Sequence, residues 1–247
     1  MDTTASPTFT GLEPDTLAFL QDLRDHADRD WFAANRARYL SAYDAPAKAL
    51  VTALGERLPQ LSPDLHADPS VGGSIFRVTR DTRFRPGTGP YKDYIDLWFW
   101  EGERALAPGG LYLRITPEVI RFGVGARAFS REARARYRRA AVDPDAGGAL
   151  AELLAALADQ GIVVAGERLR TIPRGIDPSA LDPDGETARL LRHTALYVDV
   201  DEPAQAFVGS ALANSALVGS STLLDRAILH WQRAWPLHRW LVQHVQT

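Results

Sequence analysis

The stretch Ser74–Glu101 reads SIFRVTRDTRFRPGTGPYKDYIDLWFWE. Two alternating runs flank a Gly/Pro turn, the pattern of two antiparallel strands on a short link. In Ser74–Phe84, Phe76 and Val78 fall on one face and Arg77, Thr79, Asp81 and Arg83 on the other. Arg80 continues the apolar face, so it either ends the strand or enters the interior. In Tyr94–Trp100, Ile95, Leu97 and Phe99 oppose Tyr94, Asp96, Trp98 and Trp100. The next run, from Gly109, sets Leu111, Leu113 and Ile115 against Tyr112 and Arg114. After a turn at Thr116-Pro-Glu, Val119–Val124 carries Arg121 between Ile120 and Phe122. These links predict an antiparallel meander of four or more strands. Its apolar face needs a cover of helices, so the fold class is α+β, with helices on at least one face.

The flanks supply those helices. Pro14 and Asp15 open a helix whose buried side is Leu17, Phe19, Leu20 and Leu23. Asp30 is the expected cap of a second, in which Trp31, Asn35 and Arg36 share a face. That face is either a surface helix with an aromatic anchor or a wall of a site. Ala45–Leu58 continues as helix. Ser130 caps a helix to Val142 that carries Arg131, Arg134 and Arg138 on one face, with Arg136 and Arg139 round the side. A charge run of this kind reads as a solvated face, and no Gly-rich loop accompanies it. Asp145–Gln160 is an Ala/Leu helix, Thr187–His193 a short one, and Ala195–Val200 a last strand. Pro203–Val218, Thr222–Ala234 and Pro236–Val245 are expected to close the chain as three helices. Met1–Thr8 reads as a loose tail before a single α+β domain over 9–247.

The chain has 247 residues and a net charge of -3, which argues against bulk attraction to nucleic-acid phosphates. Without cysteine there is no disulfide, thiolate metal site or cysteine nucleophile. No apolar run reaches bilayer length, and the N-terminus lacks a signal-peptide pattern. The expected address is the cytoplasm of a microbe. No Walker loop, GxGxxG turn, GxSxG elbow or HExxH pair is present, so no cofactor and no metal is expected. The six His residues are scattered.

Of the 28 Lys and Arg residues, only Lys48 and Lys92 are lysine. Against that background an ammonium in the central stretch suggests a need for a compact donor whose pKa burial can lower. Arg77–Lys92 holds four Arg and one Lys against one Asp. Charges this dense repel unless carboxylates or a ligand's anion offset them. The polar sheet face would collect Arg77, Asp81, Asp96, Trp98, Trp100, Tyr112 and Arg114, with Arg121 a further candidate. Guanidinium forks and indole faces there suit a planar or anionic ligand. The candidate binding residues are Arg77, Arg80, Arg83, Tyr91, Lys92, Asp96, Trp98 and Arg114, with Asp81 and Lys92 the candidate proton carriers. Asp93 could also act as acid, base or Arg partner.

Arg80-Asp-Thr-Arg-Phe followed by Pro90-Tyr-Lys resembles a bacterial and fungal family known chiefly as a domain of unknown function. Asp30-Trp-Phe-x-x-Asn-Arg, Leu111-Tyr-Leu-x-Ile-x-Pro, Gly123-x-Gly and Pro173-Arg-Gly-x-Asp fit the same pattern. The resemblance implies one domain and no established activity. Two readings stand. In one, the cluster binds a small anionic ligand, with or without catalysis. In the other, it is a buried ion-pair network in a structural or protein-interaction module, whose Arg131–Arg139 face meets an acidic partner.

Overall fold

The computed structural model describes residues 9, 11–26, 28–81, 83, 89–174, 176, 182, 185–208 and 223–246. The helices are α1 (Pro14–His26), α2 (Arg29–Ala34), α3 (Arg36–Tyr39), α4 (Ala45–Arg57), α5 (Arg131–Val142), α6 (Pro144–Asp159), α7 (Glu186–Leu191) and α8 (Leu223–Val245). The strands are β1 (Leu65–His66), β2 (Ile95–Glu101), β3 (Gly110–Ile115), β4 (Val119–Ala126), β5 (Ala165–Glu167) and β6 (His193–Pro203). They form one antiparallel sheet in the order β1-β2-β3-β4-β6-β5. The fold is α+β, with β1 to β4 in sequential order and β6 inserted beside β4.

Alternation explains the core. Ile95, Leu97 and Phe99 of β2, Leu111, Leu113 and Ile115 of β3, and Ile120, Phe122 and Val124 of β4 are all buried. Each such side chain contributes about 1.5–3 kcal/mol by leaving water. Trp100, expected on the polar face, is buried as well.

The first expected strand does not form over its described residues. Ser74–Asp81 is irregular, and among the described residues it meets the second run in isolated bridges at Ile75↔Leu97 and Thr79↔Tyr91. Between those bridges one arm advances four residues and the other six. The longer arm therefore bulges at Asp93 and Tyr94. Its partner's phase shifts too: Ile75 is buried, whereas Phe76 is 41% exposed. Residues 84–88, which hold most of the expected turn, lie outside the described residues, as do 1–8 and 209–218 of the expected tail and helix.

The chain divides into two compact units. One comprises the described residues of Met1–Phe99, Tyr112–Phe122 and Asp201–Leu229, the other those of Trp100–Leu111, Gly123–Val200 and His230–Thr247. In the first, Asp28 rather than Asp30 caps α2, accepting from the Trp31 N–H. Trp31 stacks on Phe19 of α1. A π-turn at Leu40–Asp44 joins α3 to α4, and within it the Tyr43 hydroxyl donates to the Tyr94 carbonyl at 3.1 Å. Phe32 and Tyr39 are buried, whereas Trp31 and Asn35 are half-buried and Arg36 is exposed, as in a surface helix with an aromatic anchor.

In the second unit, Ser130 caps α5 and Asp143 caps α6. Tyr137 donates to the Leu190 carbonyl at 2.8 Å, and Trp240 Nε1 to the Ala146 carbonyl at 3.0 Å. The two helices expected at the C-terminus are one. α8 runs through Pro236, and the described sequence to either side keeps a helical run of buried Trp231, Leu237, Trp240 and Leu241.

Candidate functional site

Backbone pairing places the central cations. Arg80 N–H donates to the Pro90 carbonyl at 2.7 Å, and Lys92 N–H to the Val78 carbonyl at 2.8 Å. Period two then puts Val78, Arg80 and Lys92 on one face of the paired arms. Val78 is buried; Arg80 and Lys92 are half-buried.

The arginines have carboxylates close by. Arg80 Nη2 donates to Asp93 Oδ1 at 3.2 Å, while its Nε is buried without a hydrogen-bond partner among the described residues. Arg114 grips Asp96 in a fork, Nε to Oδ1 at 2.6 Å and Nη2 to Oδ2 at 2.8 Å. Its guanidinium also lies over the Tyr94 ring at 4.1 Å. Burial works against the Arg114 charge, but the forked bonds to Asp96 outweigh it and raise the pKa. Arg83 pairs with Asp81 in the exposed turn, Nη2 to Oδ2 at 2.7 Å, and holds the Asp81 pKa below its ordinary value.

Lys92 differs. Its ammonium forms no ion pair and no side-chain hydrogen bond with the described residues. It lies 5.5 Å from the centre of the Phe76 ring and 5.8 Å from that of Tyr94. Burial lowers its pKa; Asp96 opposes that shift, and Arg114 and Arg80 add to it. Two ring contacts of about 0.5–1 kcal/mol each do not replace the hydration that a half-buried ammonium loses.

The expected residues therefore separate into groups. Arg80, Lys92, Asp96 and Arg114 form an electrostatically coupled cluster. Tyr91 stacks on Phe32 at 4.1 Å instead of presenting its ring to the cluster. Arg77 is exposed and Trp98 half-buried. The contributions of Phe76 and Tyr94, and of Arg24 and Glu118 through Asp93, were not anticipated. Arg24 Nε donates to Asp93 Oδ2 at 2.8 Å, and its Nη2 to Glu118 Oε2 at 3.0 Å. Nothing in the local sequence marks partners so far apart along the chain.

Residues 15–240 match the model of a family described as Conserved hypothetical protein (DUF2461). The chain belongs to the DUF2461 family. The match covers Arg80–Phe84 and Pro90–Lys92 as well as residues of both compact units. No curated protein and no solved structure matches this DUF2461 chain. Among its described residues there is no three-ligand group of His, Cys, Asp or Glu suited to a metal, and no helix long and apolar enough to cross a membrane.

Proposed function

We propose that this DUF2461 protein binds a small anionic ligand, a phosphate or carboxylate, at the face shared by Arg80, Lys92 and Arg114. The observation that carries the reading is Lys92. It is half-buried, coupled to two guanidinium groups, and forms no ion pair among the described residues, Asp96 acting on it only at a distance. An incoming anion would supply that counter-charge through charge-assisted hydrogen bonds. The buried Arg80 Nε offers a second donor. Arg83, Arg77, Tyr91 and Trp98 belong to the wider rim of the same proposal. Should a reaction follow binding, Lys92 is the better proton carrier, because burial brings its pKa down. Asp81 is exposed and held ionised by Arg83. We also propose that the two units act as one domain in a cytoplasmic protein; the family match through both supports the first part.

The second reading is a structural ion-pair network. The pairs Arg80–Asp93, Arg114–Asp96 and Arg24–Glu118 favour it, since carboxylates of the chain already meet these guanidinium groups. Calorimetric titration separates the two, with inorganic phosphate and succinate as probes. On the ligand reading, one probe binds and Lys92→Met abolishes its binding without unfolding the protein. If neither probe binds the wild type, or Lys92→Met binds as well as wild type, the structural reading stands.

A further inference from the structure

A second basic feature lies in the other unit. The buried side of α5 is Ala133, Tyr137, Ala140 and Ala141. Turned away from it is a cleft of about 470 Å³ whose described lining is Arg131, Arg134, Ala135 and Arg138. These positions follow the i, i+3, i+4, i+7 rule, so three guanidinium stems share one helical stripe. None of the three arginines forms an ion pair or hydrogen bond with a described residue through its side chain. The Nε atoms of Arg134 and Arg138 are nonetheless buried and lack a hydrogen-bond partner among the described residues. Arg24, Arg38, Arg80, Arg114, Arg127 and Arg226, by contrast, each hold a carboxylate.

Helix electrostatics sharpen the contrast. The first turn of a helix carries partial positive charge and favours acidic side chains. Arg131 occupies the first position of α5 and Arg134 the fourth, with Glu132 the acidic residue of that turn. Neither arginine stabilises the helix where it stands. Their charge and the helix dipole add, and both draw an anion to the same place.

We propose that the stripe of Arg131, Arg134 and Arg138 is a binding site for a small ligand carrying two or more linked phosphate groups. Two lengths select that class. Neighbouring arginines at three- and four-residue steps sit about 5–6 Å apart at Cβ, close enough for one phosphate to bridge two guanidinium groups. From the first to the last is about 10 Å along the axis, beyond the reach of one phosphate. The cleft has the volume of a small-molecule site. The chain's net charge of -3 disfavours a long nucleic-acid strand as the occupant.

The test is calorimetric titration of the full chain with inorganic tripolyphosphate, ATP and orthophosphate, and with a single-stranded oligonucleotide as the competing class. Tripolyphosphate or ATP is expected to bind at least about tenfold more tightly than orthophosphate and more tightly than the oligonucleotide. Arg134→Gln with Arg138→Gln should lower that affinity by about tenfold or more, while Arg139→Gln leaves it unchanged. Ala135→Glu supplies an internal carboxylate: it should abolish binding and raise the melting temperature, an outcome that loss of folding cannot mimic. The proposal is overturned if the wild type takes up neither polyphosphate, or if the variants bind as the wild type does. It is equally overturned if the oligonucleotide binds more tightly than the polyphosphates and loses that binding in the same variants, which would assign the stripe to nucleic acid.

Discussion

Arg24 and Arg80 share one carboxylate. Asp93 accepts from Arg24 Nε through Oδ2 at 2.8 Å and from Arg80 Nη2 through Oδ1 at 3.2 Å. The bulge that lengthens this arm carries Asp93, so an irregularity of pairing becomes the hub of the ion pairs.

Removing that hub should cost stability. Asp93→Asn leaves Arg80 half-buried, with its Nε already lacking a partner. Fully buried pairs broken in this way cost about 3–5 kcal/mol and exposed ones about 1 kcal/mol or less. Arg80 and Asp93 lie between, with 22% and 25% of their side chains exposed, and a loss of about 2 kcal/mol is expected. Urea denaturation measures it; a loss under about 0.5 kcal/mol would show that solvent screens the pair.

The Arg24–Glu118 pair predicts a pH profile. Hydrogen bonding from Arg24 holds the Glu118 pKa below its ordinary value. The folded state then binds the proton less readily than the unfolded chain. The stabilisation is complete above the unfolded value of about 4.3 and is lost as pH falls through the lower folded value. The stability difference between wild type and Arg24→Gln should be constant above about pH 5 and shrink in acid. A difference that stays flat into acid would remove Glu118 from the account.

Much of the fold was legible because burial has a period. β2, β3 and β4 alternate as written but for the buried Trp100, and α1, α4, α5 and α6 start within a residue or two of where their caps and prolines put them. The Ser74–Phe84 run misled because alternation does not reveal a bulge in the partner arm. Only bridges at Ile75 and Thr79 survive among the described residues, and Phe76 turns outward. The candidate site was half legible. The scarcity of lysine pointed to Lys92, and charge density pointed to its neighbours. Their partners were not legible, because Arg24 meets Asp93 across 69 positions and Glu118 across 94. Local sequence carries no record of such distances.

Lys92 should be nearly neutral for stability at neutral pH. Lys92→Met removes a half-buried ammonium and two ring contacts, changes of opposite sign, so the net is expected within about 1 kcal/mol. The pH trend is more specific. Burial lowers the Lys92 pKa, so the folded state releases this proton before the unfolded chain does. The cost is complete below the folded pKa and is relieved as pH rises towards the unfolded value of about 10.4. Wild type should therefore gain on Lys92→Met as pH is raised, in paired urea titrations. The reverse trend would mean that the rings stabilise the ammonium more than burial penalises it.

Gly125 lies in β4 with φ +110, and an added Cβ would stand 2.3 Å from the Leu196 carbonyl oxygen. Both the conformation and the clash are backbone constraints that a rotamer change cannot relieve. Gly125→Ala should destabilise by about 3 kcal/mol or more. Gly148→Ala in α6, where an added Cβ meets nothing within 4 Å, should instead stabilise by about 0.5–1 kcal/mol. Equal effects at the two positions would contradict the close approach of β4 and β6 at Leu196.

Pro236 reads as a break and is not one. It stands exposed inside α8, where it has no N–H for the carbonyl four residues earlier and its ring crowds that turn. Such a proline costs about 3 kcal/mol in an exposed helix interior. The helix continues because Trp231, Ala234, Leu237, Trp240 and Leu241 are buried on both sides of it, and their burial offsets the loss. Pro236→Ala should restore the missing hydrogen bond and raise stability by about 1–3 kcal/mol. For a chain of this size that is a rise in Tm of about 2–4 °C per kcal/mol, readable by differential scanning calorimetry. A lower Tm would mean that the local geometry imposed by the proline is needed to seat Trp231 and Trp240 together, and that α8 was selected for a shape that an unbroken helix cannot take.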